Sequence, residues 1–144
     1  MDARFYEAFH FDDNAASADE LATLVLAGPK RATAGLVWSF EAAGRPWPQP
    51  GALSVVTRWD GTPACVIETR AVEVKPFDEV DAAFAAAEGE GDGSLRHWRE
   101  VHWLYFGREC RRLGREPGLR MPVVCEPDGA EAAALRAALG GGAV

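Results

Sequence analysis

The sequence predicts an α+β domain, and three features predict it. These are a capped amphipathic segment near residue 18, a β-branched hairpin pattern around Asp60-Gly61, and a long helical pattern that stops at Gly114. At 144 residues the chain can bury one core without disulfide or metal staples. Hydrophobic residues at 48% and charged residues at 26% argue against disorder, and five tryptophans supply large units of buried area.

Ser17, followed three residues later by Glu20, reads as a capping box, and Leu21, Leu24 and Val25 continue at helical spacing, so a helix is expected over 18–27. A shorter helical pattern over 36–43 ends at Gly44, and Pro46, Pro48 and Pro50 then force a surface loop. Residues 53–59 (LSVVTRW) and 64–74 (ACVIETRAVEV) read as two antiparallel strands joined at Asp60-Gly61. A weak helix over 80–87 leads into a glycine-acid loop and then a long helix from Ser94 to Gly114. Its inward stripe is Leu95, Trp98, Val101, His102 and Tyr105. Residues 121–125 (MPVVC) form the last expected strand. An alanine-rich helix over 129–139 and a loose tail over 140–144 complete the chain, so the boundaries are one domain over 1–128 and a terminal segment over 129–144.

The longest apolar runs, such as 21–27, are too short to span a bilayer, and the first ten residues lack a basic region followed by an apolar stretch. A cytoplasmic protein without membrane partners is expected. Cys65, Cys110 and Cys125 are too widely spaced for a disulfide framework or a zinc site and read as reduced packing residues. A formal charge of −7 argues against loose nucleic-acid binding. Arg96, Arg99, Arg108, Arg111, Arg112 and Arg115, opposed only by Glu100 and Glu109, nevertheless make the long helix locally basic and able to receive an anion.

Two segments stand out chemically. In 28–33 (GPKRAT), two cations and a hydroxyl follow a helix end on a loop bent by Gly28 and stiffened by Pro29. Lys30 near apolar walls could lose its proton and act as a base, or stay charged and hold an anion; a cation simply compensating the preceding helix dipole is the plain alternative. In 88–94 (EGEGDGS), three carboxylates alternate with three glycines, a pattern that packing and propensity do not favour, so the backbone must bend sharply or approach something closely. Asp92 or Ser94 would cap the long helix, which leaves Glu88 and Glu90 without a structural role. The spacing fits no twelve-residue calcium loop, and without a preceding strand the glycines make no dinucleotide fingerprint; neither metal nor cofactor is expected. His97 and His102, five apart on the helix, diverge rather than share a metal and read as core or surface residues, and Trp98, Trp103, Tyr105 and Phe106 read as core.

The string from Asp19 to Trp38 (DELATLVLAGPKRATAGLVW), the string from Pro76 to Trp98 (PFDEVDAAFAAAEGEGDGSLRHW) and the ending MPVVCE together resemble the bacterial ASCH-domain proteins over residues 10–126. The resemblance implies a PUA-like fold, a small β-barrel flanked by helices packed around a cleft, with RNA or a modified nucleoside as partner. Some small members of that family are amidohydrolases that remove the acetyl group of N4-acetylcytidine, and others are ribonucleases; a non-catalytic RNA-binding module is the rival expectation. The amidohydrolase pattern of lysine, threonine three residues later and acidic-loop glutamate falls here on Lys30, Thr33 and Glu90. Lys30 would be base or polariser, Thr33 nucleophile and Glu90 proton donor to the departing amine. Arg31, Glu88, Arg96 and Arg99 are the expected ligand contacts. Gly35 stands where many members carry serine or arginine, and Pro29 and Arg31 replace more usual lysine and threonine neighbours. Arg96 or Arg99 would then supply the phosphate contact, an arrangement suited to a nucleotide or RNA.

Overall fold

A computed structural model describes residues 4–127 and 130–131. Its strands pair in two sheets. The first has the order β1 (Phe5–Phe9), β3 (Leu53–Thr57), β4 (Pro63–Glu68), β7 (Ala130–Glu131), and the second β2 (Thr33–Leu36), β6 (Pro122–Glu126), β5 (Glu73–Pro76). β1 runs parallel to β3, and the other pairings are antiparallel. The expected hairpin is present. Thr62 N–H bonds the Asp60 carboxylate at 2.9 Å and Gly61 N–H the Arg58 carbonyl at 3.0 Å, closing the turn between β3 and β4.

The single strand expected over 64–74 is instead two. The chain leaves the first sheet after Glu68 and enters the second at Glu73, and between β6 and β7 it crosses back. Strands that change sheet in this way make the corners of a small barrel. Glu68, Thr69 and Arg70 put three polar residues in a row at the bend, but no glycine or proline marks it, and the β-branched residues on either side read as one strand. β1 (FYEAF) and β2 (TAGL) hold a single β-branched residue between them, and neither was anticipated.

The helices follow the expected order with shifted ends. α1 (Ala15–Ala27) starts three residues earlier than the capping box implies, because the side chain of Asn14, not Ser17, accepts the backbone N–H of Ser17 at 2.9 Å. It ends where Gly28, in the left-handed region at φ 106°, returns its N–H to the Leu24 and Val25 carbonyls. α2 (Val37–Ala42) follows β2 directly. α3 (Ala82–Glu88) is capped by Asp81, and α4 (Leu95–Arg112) by Ser94, whose hydroxyl accepts from His97 N–H at 3.1 Å. Ala130 and Glu131 pair with β4 as a strand rather than opening a helix, past the boundary drawn at 128; the rest of the helix expected over 129–139, and the tail over 140–144, lie outside the described residues.

Two apolar clusters hold the elements. Leu36, Phe77, Phe84, Trp98, Phe106, Met121 and Val123 pack α3 and α4 against the second sheet, and Phe11, Ala22, Val25, Val56 and Cys65 pack α1 against the first. All three cysteines are buried, as packing residues should be. Phe106 has no exposed surface, and its truncation to alanine would cost about 3–5 kcal/mol. No helix among the described residues is long and apolar enough to cross a membrane.

Candidate functional site

Between the sheets and the middle of α4 lies a cavity of about 290 Å³ whose walls include Lys30, Thr33, Glu88, Glu90, His102 and Glu126. The two segments singled out in the sequence meet here. Arg31 N–H bonds the Ala87 carbonyl at 2.7 Å, and Gly89, at φ 65°, lies against the Pro29 peptide so closely that a Cβ would stand 2.2 Å from the Pro29 oxygen. Only glycine fits there in both conformation and space, which accounts for the first glycine of the acidic loop. Gly91, at φ 58°, is required by its backbone conformation rather than by space, since a Cβ there would meet the His97 ring, a side chain that can move aside.

Lys30 is 5% exposed, and its ammonium has three donors and three acceptors: the Ala32 carbonyl at 3.0 Å, a carboxylate oxygen of Glu90 at 2.9 Å and, in the shortest contact, Glu88. Burial works to strip the proton from Lys30, but the two carboxylates more than offset it and raise its pKa. The charged form is therefore the stable one, and of the two roles open to Lys30, polariser rather than base fits this environment. Its ammonium also stands 5.0 Å from the centre of the Phe11 ring.

Glu88 is 1% exposed and fully engaged. Trp98 Nε1 donates to it at 3.0 Å, and His102 Nε2 lies 3.5 Å from the same oxygen, while His102 Nδ1 donates to the Trp98 carbonyl at 2.9 Å and its ring stacks on the Trp98 indole at 4.2 Å. Burial would raise the Glu88 pKa, yet Lys30 and His102 hold it well below the usual carboxylate range. Glu90 differs. Burial dominates there, reinforced by repulsion from Glu88, and pushes its pKa up to about 7 despite Lys30. Two acids two residues apart are thus driven in opposite directions, the condition that separates a permanent anion from a group able to exchange protons at neutral pH.

Glu88, Glu90 and His102 offer ligand atoms within 4.8 Å of one another, a spacing a metal ion could use. The Lys30 ammonium already bonds both carboxylates, so a cation would have to displace it.

The arginines lie elsewhere. Arg31, Arg96 and Arg99 are exposed and line no part of this cavity; Arg96 reaches along α4 to Glu100 at 3.2 Å, because the helix turns the basic positions away from the stripe that carries Trp98 and His102. Sequence reasoning missed His102, Trp98 and Glu126. The first two sit at core spacing on a helix and carry no distinguishing signal. Glu126 ends a strand, and only an acid closing an apolar run hinted at it.

A family model described as the ASCH domain matches residues 7–127. Among solved structures, an ASCH domain from Lactobacillus crispatus is 41% identical and superposes with a TM-score of 0.82 over 88% of this chain and 79% of that one. Protein EF3133 from Enterococcus faecalis is 25% identical, with a TM-score of 0.80 over 88% of this chain and 76% of its own. Among curated proteins, none matches.

Proposed function

Since the chain belongs to the ASCH-domain family, a PUA-like fold of the RNA-binding type, we propose that it is an amidohydrolase of N4-acylated cytidines working through Lys30, Thr33 and Glu90. The observation that carries this reading is the presence of all three in the wall of one cavity, with Glu90 bonded to the Lys30 ammonium at 2.9 Å.

In the proposed reaction Thr33 Oγ1 adds to the acyl carbonyl carbon and its proton passes to the Glu90 carboxylate. The carbonyl electron pair moves onto oxygen, where the Lys30 charge stabilises it. Collapse breaks the bond from the acyl carbon to N4, Glu90 returns the proton to that nitrogen, and cytidine departs, leaving an ester on Thr33. Water deprotonated by Glu90 then adds to the ester, and collapse releases the carboxylic acid as the proton returns to Thr33. A carboxyl with its pKa at about 7 suits both directions of proton transfer at neutral pH.

Glu7, Asp12 and Glu109 also line the cavity, where they oppose phosphate and favour an uncharged nucleoside. The second reading, a non-catalytic RNA-binding module, draws on the exposed arginines of α4, although Arg96, Arg108 and Arg112 are engaged by Glu100, Asp13 and Glu109. Incubation with a panel of N4-acylated cytidines and with short single-stranded RNAs separates the readings. Release of cytidine from the first panel alone supports the amidohydrolase. RNA binding that weakens steeply with salt, without product, supports the module instead.

A further inference from the structure

Glu126 takes no part in the chemistry above, yet its position ties it to the same cavity. In the register of β2 against β6, Thr33 stands directly opposite Glu126, so the two side chains share one face of the sheet, and both line the cavity. Thr69, at the corner where the chain leaves β4, donates its hydroxyl to Glu126 Oε1 at 2.9 Å. Among the described residues no other hydrogen bond reaches this carboxyl. One oxygen is thereby fixed and the other is left for whatever fills the cavity. Phe9, Phe11, Phe40 and Tyr105 supply flat apolar surface around that space, a lining suited to a planar ring.

We propose that Glu126 is the group that reads the base, pairing its carboxyl with an edge in which a ring-nitrogen acceptor adjoins an N–H donor, as at N3 and N4 of a cytosine bound beside Thr33. This deepens the amidohydrolase reading and rests on it for the identity of the ring. A carboxylic acid is complementary to such an edge: its O–H donates to the ring nitrogen and its carbonyl oxygen accepts the exocyclic N–H. A carboxylate offers only acceptors and would repel the ring nitrogen. The surroundings favour the acid form of Glu126 up to about pH 7. Burial comes first, Thr69 works in the other direction, and Glu7 from β1 and Glu88 from α3 outweigh Lys30, leaving the pKa at about 7. Of the other charged or titratable groups on the cavity wall, Arg45 is bonded to Glu7 at 2.8 Å, and His10, Asp12, Glu90, His102, Tyr105 and Glu109 complete the set.

Calorimetric titration with cytidine, the product, at pH 6 and pH 8 tests this without requiring turnover. Affinity of the native protein should fall about tenfold between the two, following the loss of the acid form through a midpoint near 7. Glu126→Gln, whose amide presents the same donor and acceptor, should bind with a pH dependence below about twofold, while Glu126→Ala should bind at least about tenfold more weakly at pH 6. Unaltered affinity in Glu126→Ala, or unaltered pH dependence in Glu126→Gln, overturns the proposal, as does absence of cytidine binding by the native protein. If N4-acetylcytidine is hydrolysed but the pattern is missing, only the role of Glu126 fails. If the pattern is present without hydrolysis, the base-reading role stands and the acyl-transfer chemistry fails.

Discussion

Lys30 without Glu88 and Glu90 would be an isolated buried charge, a state that costs several kcal/mol and that proteins avoid by neutralising the group. The ion pair offsets this cost, so removing one partner should be worse than removing both. Lys30→Met is expected to destabilise the fold by about 3–5 kcal/mol in urea denaturation, and adding Glu88→Gln should recover part of the loss. Glu126 makes the opposite prediction. An acid whose folded pKa lies above its unfolded value binds more protons when folded, so its contribution to stability is lost as pH rises from the ordinary carboxylate range through about 7. Glu126→Gln should therefore stabilise the protein by about 1–3 kcal/mol at pH 8 and scarcely at pH 5. At this scale the resemblance of two short segments drew attention to Lys30, Thr33 and Glu90, and all three stand in the wall of one cavity. The sequence withheld His102 and Trp98, because a residue at core spacing that bonds a buried acid is spelled like one that merely fills space.

The elements matter chiefly by bringing two loops into contact. Gly89 is the tightest point of that contact, and Gly89→Ala would place a methyl carbon in the Pro29 peptide while demanding φ near 65° of an L-residue. A loss of about 2 kcal/mol or more is expected, together with displacement of Glu90 from Lys30; thermal melting and the turnover rate would report the two effects separately. Retention of native stability would mean that the two loops are not packed as described. The long helix is the contrasting case. Arg96→Ala removes an exposed pair with Glu100, four residues on, and it should change stability by no more than about 0.5 kcal/mol and leave turnover intact. The order of helices was readable from caps and apolar spacing. The division of 64–74 between two sheets was not, because the bend is marked only by the polar run Glu68-Thr69-Arg70, with no glycine or proline to break a β-branched segment.

Across the whole molecule, net charge and cavity charge point the same way. A chain at −7 whose cavity is lined by six carboxyl groups, Glu7, Asp12, Glu88, Glu90, Glu109 and Glu126, against the two cations Lys30 and Arg45, should act on a neutral nucleoside with little dependence on ionic strength, whereas several phosphate contacts would make binding fall steeply with salt. The fold-level resemblance was legible early, yet it left amidohydrolase, ribonuclease and binding module open; the cavity's carboxylates and the outward arginines are what favour the first. The most direct test is the turnover of N4-acetylcytidine by Glu90→Gln, a near-isosteric change at the cavity acid that both has its pKa at about 7 and bonds the Lys30 ammonium. If Glu90 carries the proton from Thr33 to the leaving nitrogen, the rate should fall by about two to four decades, with cytidine binding less affected. Turnover equal to that of the native protein would remove Glu90 from the chemistry and contradict the account.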